Sequence, residues 1–456
     1  MKKNIIFIIS FLALFSSVLS AQNATTAVAP TVNAGDTAWM IVATAFVLLM
    51  SIPGLALFYG GLVRRKNVLN VFMQVFIIVA IVSIEWVICG YSLSFGSSKG
   101  FLAPFIGGFD WAFLNNISIN DLSPYFISHS QIGLDGKAIG TIPHIIFIMY
   151  QCMFAVITPA LIIGAFAERI SFKGFFVFTI LWSVLIYNPV AHWVWSADGW
   201  LFKLGALDFA GGTVVHVNAG IAAIVTAVML GKRRDYKRHA IPPHNITYVV
   251  MGAGLLWVGW FGFNAGSGLA ADGLAGNALM VTHIAAAAAA LTWFIMDWII
   301  DKRPTVVGVS TGAVAGLVAI TPAAGFVGIP GALVIGMVVS IVCFCMVAYV
   351  KPKLGYDDSL DAFGVHGIGG IIGAILTGVF ASPFIQSAYS GAIYGNFHQV
   401  LVQLIAVLAT IIYSGIGTFI LFKITEKLVG IRASDKHEAI GLDETQHGET
   451  AYNNFD

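Results

Sequence analysis

Two histidines, His216 and His366, stand inside long apolar stretches, each on a face of Gly, Ala and Val. Ionisable side chains are rare in such places because a lipid-facing one is costly. Two neighbouring neutral imidazoles can share one hydrogen bond and leave each remaining nitrogen facing a cavity. Such a pair accepts or passes a proton without forcing a full charge into hydrocarbon. The alternative is two separate core histidines, each bonded to a backbone carbonyl. Asp208 precedes His216 by eight residues and Asp361 precedes His366 by five. Both are of the type that caps helix N-termini, and capping is the expectation for Asp361. At Asp208 a carboxylate can equally order a loop or add negative potential beneath a cation. Glu85 is a further acid in an apolar run, with a polar contact between helices as its expected role.

Aromatics supply the other half of a cation site. Tyr150, Phe154, Trp195, Trp260 and Phe263 fall near the ends of three apolar stretches, with the hydroxyl of Ser267 close by in sequence. Ring faces hold a desolvated cation for ~1–2 kcal/mol each. The competing reading is an interfacial aromatic belt, which suits Phe154 least because it lies one helical turn deeper than Tyr150.

These residues need a scaffold, and composition says which. Of 456 residues 58% are hydrophobic and only 10% charged, against roughly 25% charged in soluble domains. Uncharged stretches of about 20 residues recur, the length that crosses a bilayer core as a helix. The expected fold is therefore an all-α polytopic membrane protein. Eleven transmembrane helices are placed near 37–61, 68–95, 143–167, 174–196, 210–230, 246–269, 276–299, 306–321, 329–349, 363–382 and 399–422. A net charge of +1 and the lack of a basic aromatic patch give no reason to expect nucleic acid as a partner.

Ahead of the spans, Lys2 and Lys3, an apolar run to Leu19 and small residues at Ser20 and Ala21 describe a cleaved signal peptide over 1–21; an uncleaved first helix is the alternative. Residues 22–36 then lie outside the cytoplasm. Starting outside, alternate connections carry Arg64, Arg65 and Lys66; Arg169 and Lys173; Lys232, Arg233, Arg234, Lys237 and Arg238; Lys302 and Arg303; Lys351 and Lys353. The tail adds Lys423, Lys427, Arg432 and Lys436, while only Lys99, Lys137 and Lys203 fall on the other side. That division places the N-terminus outside and the C-terminus in the cytoplasm. The membrane domain covers 37–422, with a long outer connection at 96–142 that either folds over a mouth or hangs loose. A polar tail follows at 423–456. Cys89, Cys152, Cys343 and Cys345 read as small buried apolar residues rather than a disulfide framework.

An internal echo links the string around His216 to that around His366, and Thr158-Pro159-Ala160 to Thr321-Pro322-Ala323. Spans one to five and six to ten then form two halves. Because five is odd, the second enters the membrane inverted, an arrangement that sets a site at the midplane between halves. The eleventh helix stands outside the repeat.

Four strings carry a resemblance: Ile52–Arg64, Asp208–His216, Gly259–Ser267 and Asp361–Gly367. In their order and spread, from about Asp36 to Tyr452, the chain resembles the ammonium transporter family (Amt/Mep/Rh), on its bacterial Amt side. The resemblance implies a homotrimer in the bacterial cytoplasmic (inner) membrane, with one pore per subunit and no cofactor. It implies an outer site for ammonium or methylammonium built from Phe154, Trp195 and Ser267, flanked by Tyr150 where the family often has Phe. Phe154 and Phe263 correspond to gate rings, His216 and His366 to twin pore histidines, and Asp208 to the aspartate that orders the outer site. Trp260 and Thr321 match lining positions, as does Thr311, where a Ser can occur. The string Gly441–Tyr452 resembles a family tail that packs beneath neighbouring subunits, beside the surface where PII signal proteins dock. Two rivals stay open: a membrane haem protein using the histidines as axial ligands, and an ammonium sensor. For a sensor, the expected output domain beyond residue 422 is missing from this sequence. A membrane enzyme fits least, since no metal cluster or nucleophile constellation appears.

Overall fold

A computed structural model describes residues 30–133 and 135–452. The signal peptide expected over 1–21 and the start of the segment at 22–36 lie outside the described residues. Among the described residues, ten helices are long and apolar enough to span a membrane: α1 Ala34–Leu62, α2 Arg65–Phe95, α3 His144–Phe166, α4 Phe172–Leu204 (broken after Trp195), α5 Gly212–Leu230, α6 Ile246–Gly268, α7 Gly273–Ile300, α9 Ile329–Leu354, α10 Phe363–Phe380 and α11 His398–Val429. Between α7 and α9, α8 (Val306–Ile320) is apolar but shorter. The helices start where the sequence provides caps: side chains of Asn33, Ser171, Asn245, Asp272 and Thr305 each accept a first-turn amide, satisfying donors that the helix leaves orphaned. α11 runs past residue 422, the expected end of the membrane domain, and continues to Val429 before Gly430 ends it.

The two halves recur in the packing. α2 lies on α3 as α7 lies on α8, and α3 on α5 as α8 on α10; the halves meet where α1 packs on α6 and α5 on α10. Their directions oppose. The C-terminal end of α5 and the approach to α10 share one end of the bundle, where Arg233 binds Asp357 at 2.9 Å. At the other end the residues before α5 meet those after α8, through Phe209 N to Pro322 O at 3.1 Å.

Arg233 belongs to a buried network that gathers alternate connections at one end. Glu168 bonds Arg64 at 3.0 Å and Arg233 at 3.1 Å, and Arg169 sits 3.8 Å from Asp357. Burial opposes the charge of Asp357, but the Arg233 guanidinium outweighs it and holds the carboxyl below its usual range. Burial, helped by the like charges of Arg233 and Arg432, pulls Arg169 down to about 10 against the attraction of Asp357 and Asp358. The tail completes this face, with α12 (Asp435–Ile440) and the turn Asp443–His447. Leu442 N donates to Asn67 Oδ1 and Asn70 N to Asp443 Oδ1, at 2.9 and 2.8 Å, so the tail docks on its own chain.

The long connection at 96–142 is pinned rather than loose. His192 and Trp193 on α4 hold the carbonyls of Ala103 and Phe105 at 2.9 and 2.8 Å, and Tyr125 donates to Phe95 O at 2.6 Å. A two-strand hairpin, β1 Gln131–Ile132 with β2 Ala138–Ile139, lies beside the N-terminal segment, and His129 bonds Asp36 at 3.0 Å. That bond raises the His129 pKa above the ordinary imidazole value. The four cysteines are free.

Candidate functional site

The histidines are brought together by glycine. A Cβ on Gly220 of α5 would lie 2.1 Å from the Gly367 Cα of α10, and one on Gly370 would lie 2.9 Å from the His216 Cβ. With hydrogen in those places, the two backbones cross in contact. Both histidines occupy wide π-helical turns that open their helices, Gly212–Val217 and Phe363–Gly367, a local geometry frequent at functional sites. Their rings lie 5.4 Å apart with planes 14° from parallel. The shared hydrogen bond expected between them is absent, and so are the carbonyl partners of the alternative reading. Both nitrogens of His216 and Nδ1 of His366 are buried with no protein partner.

Carboxylates set each turn. Asp208 accepts four backbone amides, from Gly211, Gly212, Thr213 and Val214, at 2.6–3.1 Å. The capping expected of Asp361 belongs instead to Asp358, which accepts from Ala362 N and Phe363 N at 3.1 and 2.8 Å. Asp361 takes a positive φ of 60° and turns its carboxylate to Lys351 at 2.6 Å. Asp358 stands eight residues before His366, the spacing of Asp208 to His216. That repeat was the signal that would have found it.

Outward from the histidines, Phe154 and Phe263 close on each other with centroids 4.3 Å apart. Phe154 also meets Tyr150 at 5.0 Å and the indole of Trp195 at 5.6 Å, both edge-on. Trp195 is oriented by donating Nε1–H to the Asp208 carbonyl at 2.9 Å. One residue therefore holds α5 through its side chain and the indole through its backbone. Ser267 donates to Phe263 O at 2.9 Å, leaving its oxygen lone pairs available.

Below the rings, a narrow cavity with about 10 Å³ of room for water-sized molecules is lined by aliphatic side chains, Phe58, Trp260, Phe263 and the two histidines. Trp260 lies 5.4 Å from His216, ring on ring. Thr321 stands behind it, fully buried, accepting the indole N–H at 2.8 Å. His366, Phe58 and Val314 also line a wider chamber of about 210 Å³ that includes Thr311, Ser359 and Asp361. The sequence of contacts runs from Trp195 and Ser267, through paired rings and paired imidazoles, to a polar chamber at the end where the basic connections gather. Glu85 lies apart from it, bonded by Asn188 of α4 at 2.7 Å, a contact between helices as expected. The aliphatic lining, Leu161 and Leu256 among it, carries no mark in the sequence that separates it from lipid-facing residues.

Such a cavity is far too small for a porphyrin, which removes the haem reading. The model of the Ammonium Transporter Family matches residues 38–452. An ammonium transporter of Bacillus subtilis is 48% identical over 419 residues, 92% of this chain and 98% of that one. One of Aquifex aeolicus is 47% identical over 449 residues, 98% of this chain and 99% of that one. Among solved structures, Saccharomyces cerevisiae Mep2 superposes with a TM-score of 0.79 at 36% identity, covering 89% of both chains. A protein named Sensor Amt Protein superposes at 0.80 and 29% identity, over 91% of this chain and 98% of that one. On sequence and fold alike, this multi-pass membrane chain belongs to the ammonium transporter family.

Proposed function

We propose that the chain recruits ammonium among Tyr150, Phe154, Trp195 and Ser267, takes its proton, and passes ammonia between Phe154 and Phe263 along the histidine pair into the cytoplasm. One observation supports this above the others: buried imidazole nitrogens without protein partners, in a narrow, mostly apolar cavity directly beneath closed aromatic rings. Moving a bare ion of this size into a low-dielectric cavity costs on the order of 20 kcal/mol in the idealised limit. Neutral ammonia escapes that penalty. Potassium has no proton to lose, so the same barrier stops it. The imidazoles offer ammonia a hydrogen-bond acceptor and donor in turn, and are placed to carry the released proton.

The reading carries with it eleven spans, with α8 the eighth, and a cleaved signal peptide. It also carries an outer N-terminus, the inner membrane as location, a trimer, and a cytoplasmic face on which a PII protein docks beside the tail. A trimeric mass in mild detergent and nucleotide-dependent capture of a PII protein from membranes test the last two.

The primary test is the current in proteoliposomes after an ammonium jump, with potassium as control and His216→Ala/His366→Ala alongside. An ammonium-specific current abolished by the double substitution supports proton passage through the pair. No current, but faster internal alkalinisation than in empty liposomes, supports conduction of ammonia alone. Neither signal from folded protein overturns conduction and favours sensing, the role that the name Sensor Amt Protein gives to one structural relative.

A further inference from the structure

Tyr150 does more than present a ring. It is fully buried on α3, and its hydroxyl reaches across to the last turn of α6, 2.8 Å from Phe263 O, 2.9 Å from Gly262 O and 3.2 Å from Ser267 Oγ. The same ring packs edge-on against Phe154. One side chain thus touches both carriers of the paired rings and the hydroxyl beside them. The approach is built for it: a Cβ on Gly266 would lie 2.7 Å from the Tyr150 hydroxyl and 2.9 Å from its ring.

We propose that the Tyr150 hydroxyl is a strut: it fixes Phe263 and Ser267 relative to Phe154, and so sets how sharply the outer site separates ammonium from methylammonium. This rests on the conduction reading above. A site held rigid loses little on binding the ion it fits and resists a larger one, whereas a loosened site yields to both. Tyr150 acts through Phe263 and Ser267 and is a positioning residue.

Tyr150→Phe keeps the ring and removes the strut. Half-saturation and maximal current for ammonium and methylammonium are measured in proteoliposomes for both proteins. The expected result is a half-saturation for ammonium raised about three- to tenfold, the worth of one hydrogen bond. The methylammonium-to-ammonium ratio should rise with it, and potassium should stay excluded. In a Ser267→Ala background, Tyr150→Phe should raise half-saturation by less than it does in the native protein, because part of the strut acts through that hydroxyl and the rest through Phe263. An active native protein with an unchanged ratio in Tyr150→Phe overturns the strut alone; so does a fall in maximal current at constant half-saturation, which marks a merely structural role. A silent native protein overturns the conduction reading and the strut's role with it. Should Tyr150→Phe fail to reach the membrane, Gly266→Ala, which displaces the hydroxyl, must move the ratio the same way or the strut is wrong.

Discussion

Asp208 and Asp358 act on the histidines without touching them. Each gathers backbone amides at the mouth of a π-helical turn, so the carboxylate decides where the imidazole eight residues on comes to rest. Asp358→Ala should therefore cost about 1–2 kcal/mol, the range for a lost N-cap. It should lower the ammonium current by more than its loss of folded protein explains. Thermal unfolding in detergent beside flux per folded protein checks this, and a destabilised protein with native flux would refute the coupling. Much of this scale could be read in the sequence. Ionisable and aromatic residues inside apolar spans are expensive, hence few, and most of those singled out lie along the proposed path. Asp358 escaped because Asp361, nearer to His366, drew the capping assignment. Leu161 and Leu256 escaped because an aliphatic side chain looks the same whether it faces lipid or pore.

At the scale of elements, the decisive contact is the crossing of α5 and α10. A methyl group at Gly220 meets backbone rather than a flexible side chain, so the helices must part. Overpacking of this kind costs about 1–3 kcal/mol. Gly220→Ala should lower the unfolding temperature and uncouple the two imidazoles, while Gly415→Ala, whose added Cβ meets only Ile221 at 3.5 Å, should be near neutral. Equal effects from the two would remove the special role of the crossing. An all-helical membrane fold with ten long apolar helices among the described residues was legible because length and hydropathy dictate such helices, and the oddness of five spans per half is what led to an inverted second half. The glycine crossing did not come through. Small residues are common in membrane helices, and nothing local says which of the 49 glycines meets a partner.

Across the whole molecule, the alternation of basic connections already placed Arg64, Arg169 and Arg233 at one end, since a single missing span would have scattered them. The resemblance implies a tail packed beneath neighbouring subunits, but the contacts the tail makes with its own chain leave no mark in the residues, because a polar segment without periodicity bears no sign of what it touches. His447 makes that docking sensitive to acid. Asn70 Nδ2 lies 2.9 Å from His447 Nε2, and burial holds the ring below its ordinary pKa against the pull of Asp443 and Glu449. A lowered imidazole pKa means that the docked form is fully stable above the free value of about 6.5 and weakens as pH falls toward the docked value. Acidification from about pH 7.5 to about pH 5.5 should therefore speed amide exchange through Asp435–Ile440 and the turn that follows. Exchange that stays constant would show His447 to be a bystander. The narrow cavity under the rings bears on the cell's turgor as well. With about 10 Å³ of room, roughly one water, it holds no continuous file of solvent. On the conduction reading above, a membrane crowded with this protein should keep the osmotic permeability of bare lipid, so that nitrogen enters without the swelling that an open aqueous pore would bring; stopped-flow shrinkage of proteoliposomes checks this.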